Sequence, residues 1–390
     1  MSWLLQRLFG RLPVGWLQLT HNRTRFFAAL AGVAFANVLV FVQLGIMNSM
    51  SQATVRPYAF FNADIMISAK DANTLTDGAN VARQWLWQAL ATPEVEGGMG
   101  LYVANVPWDR GMTDISLTTF GVDPFQPQFL APGLASEAGF LQLRDGAVLD
   151  RLARGFKRTD AAAITPATPL SFETENRTLT AWSTFAGGGG FGSDGYMLVS
   201  DQTFLRLFPA RRSAAPDHIL LRLTPGADVT AVVRRLKATL SDPGLRIRSF
   251  AEAKAEDLRY QQTRRPTGVV FGFGVLIGVL VGLVIVYQVL SSDVADHLRE
   301  YATFKAMGYR PGFFLSVVFE EALVLGVLGF LPGMIFGGGI LALMGKVTTL
   351  PLRMTPDMAV SVFLGTVLFS ALSGAIATRR LAAADPADLF

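Results

Sequence analysis

The stretch Thr267–Ser292, TGVVFGFGVLIGVLVGLVIVYQVLSS, contains no charged residue and decides the fold class. About 20 apolar residues carry a helix across the hydrocarbon core of a bilayer. The chain has three further uncharged runs of comparable length, at Phe26–Val55, Ala322–Gly345 and Met358–Thr378. Four such runs predict four transmembrane helices, since a soluble protein rarely needs buried helices of this length.

The composition agrees with a membrane protein that also carries a substantial soluble part. Of the 390 residues, 51% are hydrophobic and only 16% are charged, and the mean hydropathy is +0.37. An ordinary soluble domain has roughly 25% charged residues. The chain has no cysteine, which excludes disulfides, thiolate metal sites and cysteine nucleophiles.

The net charge of +4 does not indicate nucleic-acid binding. Its excess lies in an N-terminal arm just before the first apolar run, where arginines orient a membrane span. These arginines are Arg7, Arg11, Arg23 and Arg25. The arm is therefore predicted to be cytoplasmic, with tryptophans and leucines that lie at the lipid surface. With four spans, this orientation predicts that both termini lie in the cytoplasm.

The runs and the charged segments between them predict the domain boundaries. The first run is longer than the apolar region of a signal peptide and is predicted to remain in the mature chain. The predicted order is an interfacial arm (1–25), transmembrane helix 1 (26–50), an extracytoplasmic domain (51–266), transmembrane helix 2 (267–290), a cytoplasmic helix (291–312), transmembrane helix 3 (313–345), an outer loop (346–357), transmembrane helix 4 (358–378) and a cytoplasmic tail (379–390).

The extracytoplasmic domain has a strand–helix–strand pattern at each end. Alternating or continuous apolar residues predict strands, and a three-to-four-residue apolar spacing predicts helices. The predicted strands are Ala63–Ser68, Gly100–Trp108, His218–Leu223 and Leu245–Phe250, and the predicted helices are Asn80–Ala91 and Asp228–Leu240. The domain is predicted to have membrane-proximal α+β halves (55–111 and 215–262) that carry a distal β-rich insertion (112–210).

The segment after the second run, HLREYATFKAMGYRPG (297–312), predicts a compact polar helix. Apolar side chains recur three or four residues apart from Val294 onward, and the opposite face has mixed charge. Gly308 fits a left-handed helix cap and Pro311 stops the helix. Such a helix suits docking of a cytoplasmic partner, and a helix lying on lipid is the alternative.

Small residues recur every fourth position in three of the apolar runs, a spacing that lets helix backbones approach closely in lipid. They are Ala28, Gly32 and Ala36; Gly274, Gly278 and Gly282; and Gly329, Gly333 and Gly337. The spacing fits packing within one chain and a dimer seam equally well. Glu320 and Glu321 at the entrance of the third run predict one functional intramembrane charge, with the other extending to the interface; the alternative is that both extend to the interface.

The sequence has no motif for chemistry of its own. The text nearest to a phosphate-binding loop, GGGILALMGKV (337–347), has the wrong spacing and lies in an apolar run. We find no catalytic constellation and no metal-ligand spacing in the sequence. An energy source is therefore expected on another chain, with no cofactor on this one.

The layout and three stretches resemble the MacB/FtsX-type ABC permeases, most closely those of the DevC type. The stretches are GWLQLTHNRTRFFAALAGVAFANVLVFVQLG (15–45), YQVLSSDVADHLREYATFKAMGY (287–309) and RRLAAADPADLF (379–390). The resemblance covers both ends and all four runs, and it is weak across 112–210.

The resemblance implies a homodimeric permease driven by a separate cytoplasmic ABC ATPase, which would bind ATP and magnesium. It implies ATPase-coupling roles for the segment after the second span, namely for His297, Leu298, Arg299, Glu300, Tyr301, Lys305, Gly308 and Tyr309. It further implies a periplasmic membrane-fusion adaptor, an outer-membrane channel, and export of a lipid-like substrate by mechanotransmission. The alternative is an FtsX-like signalling permease that activates an outer cell-wall hydrolase. A membrane-anchored enzyme has no supporting motif.

Overall fold

The computed structural model describes residues 14–110, 114–297, 300, 303, 307–309, 311–348 and 350–383. The chain divides into a helical unit, Met1–Asn48 with Gly268–Phe390, and a sheet unit, Ser49–Thr267. Within the described residues, four helices are long and apolar enough to cross a membrane. The chain is thus a polytopic α-helical membrane protein with a large α+β domain between its first and second membrane helices, as predicted.

The described helices run in chain order from α1 to α12. The four membrane helices are α2, α10, α11 and α12. The bounds are α1 Val14–His21, α2 Arg23–Val55, α3 Gln84–Leu90, α4 Pro132–Ala135, α5 Ala138–Leu141, α6 Arg158–Ala163, α7 Asp201–Leu207, α8 Val229–Thr239, α9 Phe250–Thr263, α10 Pro266–Asp296, α11 Pro311–Thr348 and α12 Pro356–Ala383.

The sheet unit contains nine described strands. Their bounds are β1 Ile65–Ala69, β2 Val95–Asp109, β3 Asp114–Val122, β4 Gly146–Asp150, β5 Leu170–Thr174, β6 Arg177–Phe185, β7 Gly195–Ser200, β8 His218–Leu223 and β9 Leu245–Ser249. The four strands and two helices predicted at the two ends of the domain are confirmed as β1, α3, β2, β8, α8 and β9, with shifts of a few residues at their ends.

The two strand–helix–strand units interlock instead of pairing separately. The strand order at this end of the sheet is β2-β8-β1-β9, and each of these neighbouring pairs is antiparallel. Each unit therefore inserts a strand between the two strands of the other, which is the split β-α-β arrangement. Helices α3 and α8 cover one face, where Leu86 and Leu236 join the buried side chains of β1 and β8.

The β-rich segment is not a separate distal insertion, because one long strand belongs to both parts of the sheet. The first half of β2, Val95 to Leu101, pairs with β8, and its second half, Tyr102 to Asp109, pairs with β3. The complete order is β5-β6-β4-β7-β3-β2-β8-β1-β9. A continuous nine-stranded sheet therefore replaces the predicted division into a proximal domain and an insertion.

The contacts at the glycines show in which direction each membrane helix runs. A Cβ added to Gly329, Gly333 or Gly337 of α11 would lie 2.6, 2.6 or 2.9 Å from the nearest side-chain atom of Val33, Asn37 or Phe41 respectively. The residue numbers of the glycines and of their partners on α2 both increase in steps of four along the contact. Helices α2 and α11 therefore run in the same direction. On α10 the order is reversed: Gly274 faces Gln43, Gly278 faces Val40 and Gly282 faces Ala36. Helix α10 therefore runs antiparallel to α2, as expected of consecutive membrane crossings.

A buried polar network fastens α9 to the sheet. One carboxylate oxygen of Asp257 accepts hydrogen bonds from the Tyr58 hydroxyl and from the backbone N–H of Leu75, the latter at 2.8 Å. The Arg248 guanidinium on β9 is 3% exposed and donates to Glu256 on α9 at 2.8 Å. Burial raises the pKa of Asp257 to about 6, although these hydrogen bonds and Arg248 act in the opposite direction.

We predict that Asp257 makes the chain less stable as the pH rises from about 4 to about 6. The unfolded carboxyl releases its proton near its ordinary pKa of 3.8, whereas the folded one holds it up to about 6. The contribution of Asp257 to the stability of the folded chain is complete below the unfolded pKa, and it is lost as the pH rises through the folded pKa. The loss is at most about 3 kcal/mol, since one pKa unit corresponds to about 1.4 kcal/mol.

The measurement is the apparent melting temperature of the purified full chain across this pH range. Asp257→Asn should remove part of the decline, because its amide oxygen keeps both hydrogen bonds without titrating. Glu173→Gln, which alters an exposed carboxyl on β5, should keep the full decline. Identical pH profiles for Asp257→Asn and the unmodified chain would contradict the assignment.

Candidate coupling site

The segment predicted as a separate cytoplasmic helix starts inside the second membrane helix. Helix α10 continues without a break to Asp296, so Ser291–Asp296 extends the apolar helix and does not begin a new one. The reason is local: no glycine or proline follows Gly282 before Gly308, and polar residues alone do not end a helix. The prediction that a distinct element begins at Ser291 was wrong.

The end of α10 is held by Arg25, at the start of α2. The Arg25 guanidinium forms an ion pair with Asp296 and donates a hydrogen bond to the backbone carbonyl of Val289 at 3.1 Å. Two contacts about two turns apart on α10 fix the direction in which the chain leaves that helix. Arg25 was predicted only as an orienting charge, and this contact partner was not found from the sequence.

Helix α1 packs into the helical unit through a glycine. A Cβ on Gly15 would lie 2.8 Å from the carbonyl oxygen of Val317 and 2.9 Å from Cγ of Glu321, so only glycine allows this approach. The backbone N–H of Trp16 donates to Glu320 at 3.2 Å, and Leu19 is buried. The described part of the arm therefore docks on α11, although it was predicted to lie at the lipid surface. Met1–Pro13 lies outside the described residues.

Glu320 and Glu321 are both buried, with exposures of 1% and 0%. Neither side chain is exposed at the surface of the protein, so the prediction that one of them extends to the interface is wrong. The Glu321 side chain lies against the carboxyl of Asp293 on α10, and among the described residues neither of its oxygens accepts a hydrogen bond from an N–H or O–H donor. Two carboxylates in contact repel each other unless a proton or cation lies between them.

The predicted coupling residues begin directly after this cluster. His297 is half-buried, and its Nδ1 lies 3.0 Å from the backbone carbonyl oxygen of Asp293. Glu300 is helical and exposed. Gly308 has φ of +90°, the left-handed conformation predicted for a helix cap. The Tyr309 ring packs on Phe313 with ring centres 5.0 Å apart. Leu298, Arg299, Tyr301 and Lys305 lie outside the described residues.

All of the predicted packing glycines lie against neighbouring helices of the same chain. Gly32 faces Ile285, while the glycines of α10 and α11 face α2 as described above. Ala36 is buried, whereas Ala28 is exposed and is not part of the packed face. Of the two alternatives, packing within one chain accounts for these glycines. A dimer seam would have to use another surface.

The site therefore joins the charged or polar ends of four helices. The candidate coupling site also includes Arg25, Gly15 and Trp16, and the sequence analysis assigned none of these three residues to it. The sequence separations are 271 residues for Arg25 with Asp296 and 304 for Trp16 with Glu320. The signal in the sequence was Gly15, within the charged N-terminal arm. A glycine there indicates that another helix approaches closely, but it does not show which one. Such an arrangement can transmit movement among α1, α2, α10 and α11.

The last three membrane helices, α10, α11 and α12, follow one another along the chain without an intervening domain. Residues 272–386 match the family described as FtsX-like permease C-terminal. The match extends from α10 through the charged segment to the end of α12, so this part of the chain is similar to the C-terminal region of FtsX-like permeases. No curated protein matches the sequence at a significant level.

Three solved structures are similar to part of the chain at low identity. The periplasmic region of MacB from Actinobacillus actinomycetemcomitans has 11% identity and a TM-score of 0.35, and covers 50% of this chain and 93% of that chain. The extracellular domain of the noncanonic ABC-type transporter YknZ from Gram-positive bacteria has 8% identity and a TM-score of 0.33, and covers 48% and 98%.

The third is a domain of a putative permease protein from Porphyromonas gingivalis, with 12% identity and a TM-score of 0.29, covering 50% of this chain and 89% of that chain. These TM-scores are too low to transfer a function. The function is inferred from the family match and from this chain's own contacts.

We predict that Gly15→Leu detaches α1 from α11, because the larger side chain has no room beside Val317 and Glu321. The readout is maleimide labelling of a cysteine introduced at Leu19, in a chain that has no other cysteine. Leu19→Cys should be protected in the Gly15 background, since Leu19 is 5% exposed, and reactive in the Gly15→Leu background. Leu17→Cys, at a position 53% exposed, should react in both. Continued protection at position 19 would show that α1 docks without needing glycine.

Proposed function

We propose that the chain is the permease subunit of an ATP-driven ABC exporter of the tripartite type, within the MacB/FtsX superfamily and close to the DevC-type permeases. The observation that carries the proposal is the FtsX-like match, which spans the charged segment between α10 and α11. In this proposal a separate cytoplasmic ATPase binds that segment, with ATP and magnesium bound on the ATPase.

The helical unit supplies a route for coupling. A force applied at His297 reaches α10 directly, because His297 follows Asp296, the last residue of that helix. It reaches α2 through the Arg25–Asp296 ion pair, and α11 through the contact of Asp293 with Glu321. Helix α10 also leads back along the chain to α9 of the sheet unit. Coupling therefore works by moving helices as bodies and requires no channel through them.

The remaining parts of the proposal concern partners. Two copies form the functional permease, and because the glycines are used within one chain, the dimer seam lies on another apolar face. Helix α10 offers such a face, with Phe273, Leu276 and Leu280 exposed. The sheet unit binds a periplasmic membrane-fusion adaptor that leads to an outer-membrane channel, and the exported substrate is lipid-like. The chain lies in the bacterial inner membrane with both termini in the cytoplasm.

The orientation predicts opposite labelling of two single cysteines in intact cells. Ser241→Cys, in the sheet unit, should react with a membrane-impermeant maleimide, because this unit is proposed to be extracytoplasmic. Thr303→Cys should react only after the membrane is permeabilised. Both positions are exposed, so access to solvent does not separate them. Labelling of position 303 but not 241 would reverse the proposed orientation.

We expect Glu300→Lys to uncouple the permease from its ATPase. Glu300 is exposed on a helical segment, and position 304, where a helical partner cation would favour it, is a phenylalanine. If Glu300 meets a cation on the ATPase, charge reversal should weaken the complex by about 2 kcal/mol or more. The measurement is the amount of ATPase that co-purifies from native membranes, together with the ATP turnover of the complex.

The matched control is Asp357→Lys, which reverses an exposed acid at the start of α12. It should co-purify the normal amount of ATPase. Full retention of the ATPase by Glu300→Lys would remove Glu300 from the contact, and a preparation with no ATPase at all would overturn the proposed function. A cell-wall hydrolase in place of an adaptor would favour the signalling alternative.

A further inference from the structure

A small cavity opens between the last turns of α9 and strand β9, in the sheet unit. It has a volume of about 190 Å³, and its polar lining includes Arg246, Glu256, Arg259, Tyr260, Thr263 and Arg264. We call these six residues the basic cleft. Strand β9 is at the edge of the nine-stranded sheet, so the cleft lies at a margin of the sheet.

The cleft has an excess of positive charge. Its one carboxylate, Glu256, is already paired with two arginines, at 2.7 Å from Arg246 and 2.8 Å from Arg248. Burial acts against ionisation, but the hydrogen bond from Arg248 and the charges of both arginines hold the pKa of Glu256 below its ordinary value. Glu256 therefore stays ionised, and its negative charge is balanced by Arg246 and Arg248. The cleft has no second carboxylate to balance the positive charges of its other two guanidinium groups.

Those two groups belong to Arg259 and Arg264, which are both exposed. Among the described residues, no carboxylate forms an ion pair with either of them. Two guanidinium groups at one cavity offer several N–H donors in planar forks, a geometry that suits a phosphate group. The Tyr260 side chain adds a hydroxyl group to the same lining, whereas the Thr263 hydroxyl already donates to the backbone carbonyl of Arg259 at 2.8 Å.

The chain itself places this cleft near a bilayer surface. Arg264 is two residues before Pro266, where the membrane helix α10 begins. The next charged residue after Arg265 is Asp293, so the apolar segment starts at once. The three residue steps from Arg264 to Thr267 span at most about 11 Å, which keeps the guanidinium group within reach of lipid headgroups.

We propose that the basic cleft binds the phosphate of an anionic phospholipid headgroup, of the phosphatidylglycerol type, in the bilayer that α10 enters. The occupant is a lipid rather than a soluble anion, because the cleft lies beside the first residues of a membrane helix. Guanidinium groups bind phosphate through paired charge-assisted hydrogen bonds, and headgroup phosphates lie at the depth where a membrane helix begins. The bound lipid would hold the end of α9 at the membrane surface. This inference does not depend on the proposed exporter function.

The test uses the full chain in nanodiscs made from equal parts of phosphatidylglycerol and phosphatidylcholine. Native mass spectrometry counts the lipids that stay bound after the nanodisc is removed. The unmodified chain should retain phosphatidylglycerol in preference to phosphatidylcholine. Arg259→Gln with Arg264→Gln should lower the retained phosphatidylglycerol about tenfold, the effect expected for the loss of a charge-assisted hydrogen bond.

The matched control is Arg212→Gln with Arg234→Gln, which removes two exposed cations from the same unit outside the cleft. It should retain phosphatidylglycerol like the unmodified chain. If both double variants lose the same amount of phosphatidylglycerol, the effect is due to net charge and the proposal is overturned. If neither variant loses phosphatidylglycerol, the proposal is also overturned. Displacement of the lipid by millimolar inorganic phosphate would make free phosphate the ligand. An unchanged melting temperature shows that each variant is folded.

Discussion

The contact between α2 and α11 depends on three glycines four residues apart, and the helical unit is arranged around it. Inside a bilayer, lipid tails are as apolar as leucine, so helices associate mainly through close van der Waals packing. Gly329, Gly333 and Gly337 permit that packing because a Cβ at any of them would overlap α2. Helix α2 is thereby fixed along α11, and its other surfaces are left to meet α10 and α12.

Polar side chains then specify how these helices align. The Thr366 hydroxyl on α12 donates to Asn37 on α2 at 2.6 Å, and the Ser373 hydroxyl donates to the carbonyl of Leu283 on α10 at 2.9 Å. A polar group in a water-free interior is costly without a partner, so each of these hydrogen bonds favours the one alignment in which it forms. The glycines therefore determine how near the helices come, and these hydrogen bonds determine their register. The same division occurs at α1, where Gly15 allows the approach and Glu320 accepts the hydrogen bond.

The sequence predicted what depends on local pattern. The four spans follow from hydropathy, and the strands and helices at both ends of the sheet unit follow from their periodicity. It could not predict which strands pair, because the β2-β8-β1-β9 order depends on contacts between segments more than 100 residues apart, such as Ile65 with Leu221. For the candidate site, the glycine pattern and the two glutamates were visible, but Arg25, Gly15 and Trp16 meet their partners only through the fold. The end of α10 was misplaced because a change to polar residues was taken for a helix end.

The uninterrupted course of α10 has a mechanical consequence. Its 31 residues make a rod about 46 Å long, whereas the hydrocarbon core of a bilayer is about 30 Å thick. About a third of the rod therefore extends beyond the apolar layer, and no proline interrupts it after its first residue. A hinge at the membrane surface would let one end tilt while the other stayed still. A rod without a hinge cannot tilt at one end alone, so any movement imposed on the polar end of α10 is carried through to Pro266.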